Sequence, residues 1–293
     1  MNYDYIPTTD YAVLYEYQRS LEKKAPYWFD TDRVTWIKSF SDDLDLDGED
    51  MFSELITYMA ICDGNIVGFV QFGIPCYIYG TDGEKDYDEI CGVIRTLYFE
   101  RGHSICGKVL IEIAHDYFAA KGVKCRFAFY HALGMSCYAG HGKLYCAFPH
   151  IEETLSTFGY IKEHENVYYS RFLSIADSEA CEKAEVTFSE ASESRLSEFS
   201  VRLNGEFVGA GALVYLPQGD IAYLKWIFIL DEYQGRGLAS AALRLIFAKL
   251  YNSGFKRIDT DTADGNVAAQ GLYTKLGFED MGRTRSYMDK PCN

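Results

Sequence analysis

Ile227-Phe228-Ile229-Leu230-Asp231-Glu232-Tyr233-Gln234-Gly235-Arg236-Gly237-Leu238-Ala239-Ser240 is the most informative stretch of this 293-residue chain. An apolar, β-rich run enters a turn of small residues and passes straight into a helix. Leu238, Ala242, Leu245, Ile246 and Leu250 recur there at helical spacing on one face. Gly254 stands where a helix C-cap is expected. A glycine-containing turn that opens a helix presents unpaired backbone N–H groups at the positive end of the helix dipole, which suits an anion. Gly237 admits a pyrophosphate without interference from a Cβ, and Ala239 keeps the next turn narrow. A plain strand-to-helix turn has the same outline, so the loop alone leaves both readings open. It carries neither Gly-Lys-Ser/Thr nor G-x-G-x-x-G.

Working outward, the same layout occurs twice. Asp63-Gly64 lies between β-rich runs at Leu55 to Cys62 and Ile66 to Tyr79, and Asn204-Gly205 between Glu198 to Leu203 and Phe207 to Leu216. Both read as hairpins, because these dipeptides supply the positive φ of tight primed turns. A third extended run follows each hairpin (Gly92 to Phe99, Ile221 to Leu230), then a helix (Gly107 to Lys121, Leu238 to Asn252). Next come a short strand (Cys125 to Tyr130, Arg257 to Thr262) and a second helix ending in Phe158-Gly159-Tyr160 or Leu276-Gly277-Phe278. Val167 to Leu173 and Thr284 to Met288 read as closing strands. The first copy carries about 23 extra residues, mostly in the polar or Gly-rich stretches Gly80 to Asp88 and Gly134 to Pro149. Aperiodic Ser174 to Ala184 marks the boundary, giving domains at 1–175 and 185–293. About 55 residues precede the first hairpin, room for a strand and two helices rich in Tyr and Trp; only some 20 precede the second.

Two domains also suit the length. The chain is 48% hydrophobic and 24% charged, a globular balance, with a net charge of −15. Split at Ile175, the first part has 15 basic and 26 acidic residues (−11), the second 13 and 17 (−4). So acidic a surface repels phosphate backbones and argues against nucleic-acid binding. Nine scattered cysteines, with no C-x-x-C, suit buried thiols in a reducing compartment. The first residues lack the basic and apolar regions of a secretory signal, and the longest apolar run is broken by Asp63 and Gly64. The expectation is a soluble cytoplasmic protein with no membrane partner, its oligomeric state left open.

Gln234-x-x-Gly237-x-Ala239 after a strand resembles the acetyl-CoA pyrophosphate loop of the GNAT (Gcn5-related) N-acetyltransferase superfamily. Asn266-Val-Ala-Ala-Gln-Gly-Leu272-Tyr273-Thr-Lys-Leu276-Gly277-Phe278 is similar to the family's second signature, and the likeness covers about residues 195 to 290. The first copy keeps the layout without these residues, with Ile105 where the central glycine belongs, and so resembles a degenerate GNAT domain. The resemblance implies an α/β fold of two tandem GNAT-like domains, each a central mixed, largely antiparallel sheet flanked by helices. It also implies an N-acetyltransferase that moves an acetyl group from acetyl-CoA, as co-substrate, to a primary amine. The acidic N-terminal half favours a cationic acceptor, such as a polyamine, an aminoglycoside-like amine or a lysine-like group; a small molecule is expected ahead of a protein. The alternative is a non-catalytic acyl-CoA-binding sensor or scaffold.

By the same resemblance, backbone groups of Ile227, Phe228 and Ile229 would pair with the pantetheine arm. Backbone N–H groups of Gln234, Gly235, Arg236, Gly237, Leu238, Ala239 and Ser240 would hold the pyrophosphate, with Asn266 also at the cofactor. Amine attack on a thioester needs a neutral amine, a stabilised oxyanion and a protonated leaving thiolate. Tyr273 is the candidate acid, seven residues and two helical turns after Asn266; the plain alternative is a core aromatic. Asp261 is the candidate base, or else a solvated strand-end carboxylate. Where relatives often carry a glutamate, this chain has Lys225 or Trp226. Arg236 either reaches a phosphate or is a solvated loop arginine. The smaller copy lacks room for the helices that wall the family's acceptor site, so the N-terminal domain is expected to supply that wall or to be structural.

Two patterns point elsewhere. Asp43-x-Asp45-x-Asp47-Gly48-x₅-Glu54 fits the calcium-loop expression, but Leu44 and Leu46 replace polar residues and Leu55 onward reads as strand, so an acidic solvated loop is expected. All six histidines lie in the first half, and His141 with Cys137 and Cys146 matches no recognised zinc spacing. No metal is expected.

Overall fold

The structure, a computed structural model, describes residues 2–41, 44–45, 47–80, 83–88, 90–179, 184–189 and 195–289. Its contacts divide into two units: residues 1–165 with 284–293, and residues 166–283.

The first unit begins with β1 (Tyr3–Pro7), α1 (Tyr11–Ser20) and α2 (Arg33–Ser41). The hairpin of β2 (Phe52–Cys62) and β3 (Asn65–Pro75) turns on Asp63 (φ 50°) and Gly64 (φ 81°), the positive values a primed turn requires. Short strands β4 (Ile78–Tyr79) and β5 (Lys85–Asp86) lead to β6 (Cys91–Phe99), α3 (Ser104–Ala120), β7 (Cys125–Ala128), β8 (Leu144–Tyr145) and α4 (Pro149–Thr157). β9 (Ile161–Phe172) crosses from this unit into the next. Strand order is β1-β2-β3-β6-β7, antiparallel except for the parallel β6–β7 pair. The N-terminal aromatics belong to this unit's core. Trp36 is 1% exposed, stacks on Phe40 with ring centres 4.7 Å apart, and donates its indole N–H to Gln18 and Tyr138.

In the second unit, β10 (Glu185–Phe188) and β11 (Leu196–Leu203) lead through Asn204 (φ 52°) and Gly205 (φ 81°) into β12 (Glu206–Tyr215). β13 (Ile221–Ile229), α5 (Leu238–Asn252), β14 (Arg257–Ala263), α6 (Val267–Lys275) and β15 (Glu279–Met288) complete it, the last crossing back at residue 284. No helix lies between β10 and β11 among the described residues, in line with the short segment ahead of the second hairpin. Strand order is β10-β11-β12-β13-β14-β9, antiparallel except for β13–β14. The core lies between sheet and α5, where Leu238, Ala242, Leu243, Ile246, Phe247 and Leu250 are buried against Val167, Val201, Leu224 and Ile258.

The units do not divide at the 174–184 linker alone. Asn166–Phe172 pair antiparallel with all of β14, so they belong to the second unit. Tyr287 and Met288 pair with Ala128 and Phe127 of β7, which returns the last strand to the first unit. Each copy therefore takes its last strand from the far side of a chain crossing.

The acidic loop is not simply solvated. Lys85 sits in it with Nζ 2.6 Å from Asp45, 2.9 Å from Glu49 and 3.0 Å from Asp47, and the Tyr77 hydroxyl donates to Asp45 at 2.6 Å. Burial opposes the lysine charge, but the three carboxylates outweigh it and hold its pKa above the ordinary value. Glu54 lies within β2, bound to Lys121 and Tyr117. Asp43 and Leu46 lie outside the described residues. No described helix is long and apolar enough to cross a membrane.

Candidate active site

β13 carries the feature that builds the site. Its register against β12 slips between Ala212↔Trp226 and Leu213↔Leu224, so Lys225 is an extra residue, a β-bulge. Before the bulge Ala222 and Leu224 face the core, and after it Ile227 and Ile229 do. Trp226 and Phe228 therefore join Tyr223 on the opposite face, where they stack 5.9 Å apart and are 38% and 45% exposed. Parallel pairing of β13 with β14 runs from Ile221↔Arg257 to Leu224↔Thr260 and then stops. Beyond it, Trp226 to Ile229 pair with β12 alone, so one edge of this segment offers backbone donors and acceptors to whatever lies in the split.

The same irregularity recurs in the first unit. β6 slips against β3 around Arg95, and its pairing with β7 ends at Ile94↔Ala128. There Arg95 is buried, and it donates to the carbonyls of Leu133 and Gly134, to Phe40 and Ser39 of α2, and to Gln71. Its strand reaches the next helix through only four residues, 100–103, and Ile105 lies inside the first turn of α3, 66% exposed.

In the second unit eight residues, 230–237, join β13 to α5. A 3₁₀ turn at Asp231–Tyr233 is followed by Gly235 (φ 73°) and by Gly237 (φ 79°), which caps α5 with no side-chain hydrogen bond. Nothing lies within 4 Å of a Cβ built on Gly237, so its left-handed backbone rather than crowding calls for glycine. The Gln234 amide donates to Ile229 O (3.0 Å) and Asp231 (2.8 Å), and Arg236 donates to Glu232 O while lying over the Tyr233 ring. Both side chains thus brace the loop itself. Leu238 is buried in the core, and Ala239 and Ser240 are half-buried on the first turn.

Asn266 caps α6, its side-chain oxygen accepting from Ala269 N at 3.1 Å. Tyr273 is buried between Tyr169 and Phe278, with a hydrogen bond to Thr260. The Thr260 hydroxyl donates to Leu224 O at 3.0 Å, on the residue where β13 leaves β14. Tyr273 is thereby tied to the head of the split. Burial, with smaller contributions from Asp261 and Tyr169, raises its pKa against the opposing Thr260 contact, so it stays protonated at neutral pH.

Asp261 and Asp259 share the sheet face away from α5. Asp261 accepts from the Tyr223 hydroxyl at 2.5 Å and from the Asn166 amide at 2.6 Å. Asp259, fully buried, accepts from both Nε and Nη2 of Arg257 and from Tyr168. Burial raises its pKa while Arg257 opposes. Asp259 is structural, since removing one partner of a buried ion pair leaves an uncompensated charge. Sequence reasoning named Tyr273 and Asp261 as candidates and did not single out Tyr223, Asn166 and Thr260, which hydrogen-bond with them. Only alternation along β13 hinted at Tyr223, and the bulge, invisible in sequence, hides which neighbours share its face.

These features define a fold class: α/β units with a mixed, largely antiparallel sheet that splits beside a glycine-opened helix. Residues 159–278 match the profile of the acetyltransferase (GNAT) family. The curated N-acetyltransferase 8B of Homo sapiens is 32% identical over 54 residues, 18% of this chain and 24% of that protein, so the match spans about a quarter of that relative. A tandem GNAT protein from the clavulanic acid biosynthesis pathway (without AcCoA) matches with a TM-score of 0.62 at 10% identity, over 100% of both chains. A GCN5-related N-acetyltransferase from Sphaerobacter thermophilus gives 0.63 at 11% identity, over 99% of this chain and 97% of that one. At such identities the structures speak to fold alone. Residues 159–278 are thus similar to a GNAT-family acetyltransferase domain, and the chain has the fold of tandem GNAT-like proteins.

Proposed function

We propose that the protein is an N-acetyltransferase that moves the acetyl group of acetyl-CoA to a primary amine by direct attack. The observation that carries this is the split after Leu224 and Thr260, with Tyr273 tied to its head and the Gly235–Gly237 loop opening α5 beside it. The first-turn N–H groups of α5 would hold the diphosphate, and the free edge of Ile227 to Ile229 the pantetheine arm. The amine nitrogen attacks the thioester carbon, the tetrahedral intermediate collapses, and the C–S bond breaks. Tyr273 gives its proton to the departing thiolate, while Asp261, directly or through water, takes the proton lost by the amine. The N-terminal unit is assigned to acceptor recognition or to a structural role, because no helix lies between β10 and β11 among the described residues.

The test is release of free coenzyme A thiol across a panel of amines. Cationic small molecules such as polyamines and aminoglycoside-like amines are expected to give turnover. A binding-only role is the second reading, favoured by both Asp261 oxygens already accepting hydrogen bonds. Saturable acetyl-CoA binding without thiol release for any amine supports that reading instead.

A further inference from the structure

We propose that His131, Glu163 and His164 form a binding site for a divalent transition-metal ion of the zinc class. All three belong to the first unit: His131 stands three residues beyond β7, and Glu163 and His164 are consecutive in β9. One ligand atom from each lies within 4.8 Å of the others. Consecutive strand residues ordinarily point apart. Here the Glu163 carboxylate and His164 Nε2 converge to 3.5 Å, and the two imidazole rings meet edge to face with centres 4.9 Å apart.

A second observation is independent of that clustering. Glu163 Oε2 is buried and accepts no hydrogen bond from any described residue. A buried carboxylate oxygen without a partner is costly, and a cation bound there removes that cost. Two imidazoles and one carboxylate select zinc-like ions over magnesium or calcium, which demand more oxygen ligands. Zinc ligands at about 2.0–2.1 Å from the ion sit roughly 3.4 Å apart in a tetrahedron, so small side-chain rotations close the set. Three protein ligands leave a fourth position for water. The bound ion would pin the loop after β7 to β9. The acidic loop at Asp45 is no rival, because Lys85 already supplies its cation.

The intact chain, stripped with EDTA and dialysed, is titrated with zinc chloride and separately with magnesium chloride by calorimetry and thermal melting. One saturable equivalent of zinc and a higher melting temperature are expected, with no response to magnesium. His164→Ala, on a half-exposed side chain, and Glu163→Gln should each weaken zinc binding by about tenfold or more. Cobalt should give the wild type, but not His164→Ala, the visible absorption of a tetrahedral site. Absence of saturable zinc binding overturns the proposal. So does zinc affinity unchanged in both variants, which would place the ion away from these ligands.

Discussion

Tyr273→Phe is expected to lower turnover by about 10²- to 10⁴-fold, the usual worth of a positioned acid, while acetyl-CoA affinity stays within about twofold. The ring remains to fill the space between Tyr169 and Phe278, so the core is preserved. Only the hydroxyl and its bond to Thr260 are lost, at about 1–3 kcal/mol of stability. The pH profile separates this role from packing. Since burial holds the Tyr273 pKa above its ordinary value, the wild-type rate should not fall on the alkaline side until beyond about pH 10. In the variant that protection is absent and the remaining rate depends on solvent as proton source. Wild-type turnover in Tyr273→Phe, with a melting curve to match, would move the thiolate's proton donor to water and leave Tyr273 as a core aromatic.

Cutting the chain at the linker should destroy the very unit it aims to isolate. A fragment of residues 176–293 lacks Asn166 to Phe172, seven residues that pair with β14 along its whole length. Val167 and Tyr169 leave the core, where they are 0% and 3% exposed. Asp259 loses Tyr168, and Asp261 loses Asn166. At roughly 1.5–3 kcal/mol per buried apolar side chain, with unpaired polar groups added, the loss is comparable to a whole domain's stability of about 5–15 kcal/mol. Circular dichroism should show this fragment without a cooperative melt, whereas residues 166–293 should fold and bind acetyl-CoA. The longer fragment then asks what the N-terminal unit does. Lost transfer with binding retained supports a role in acceptor recognition, and full transfer removes that role. A cooperative melt from residues 176–293 would contradict the strand assignment itself.

What could be read from the sequence was what leaves a local mark. Asp63-Gly64 and Asn204-Gly205 announce their turns by backbone chemistry, and the apolar spacing from Leu238 to Leu250 marks all but the last two residues of α5. Tyr273 and Asp261 are candidates by family resemblance; Tyr273 is bonded to Thr260, where β13 and β14 part, and Asp261 is the next residue along β14. Non-local pairing left no such mark. Nothing in Val167 to Phe172 says that its partner is β14, or in Tyr287 that its partner is Ala128, because strands of similar composition compete for the same edges. The bulge at Lys225 reverses which side chains face the core, so alternation read straight through β13 misplaces Trp226 and Phe228. Lys85 in the acidic loop and His131 beside His164 are likewise joined by topology alone.

Titration of the intact chain with acetyl-CoA, followed by calorimetry and thermal melting, tests the proposed cofactor site most directly. One saturable equivalent of heat and a melting temperature that climbs with ligand concentration are predicted, both abolished in Gly237→Val, where a β-branched residue must adopt φ near 79°. No heat and no melting shift in the wild type would contradict the account, leaving two GNAT-like folds without the chemistry proposed for them.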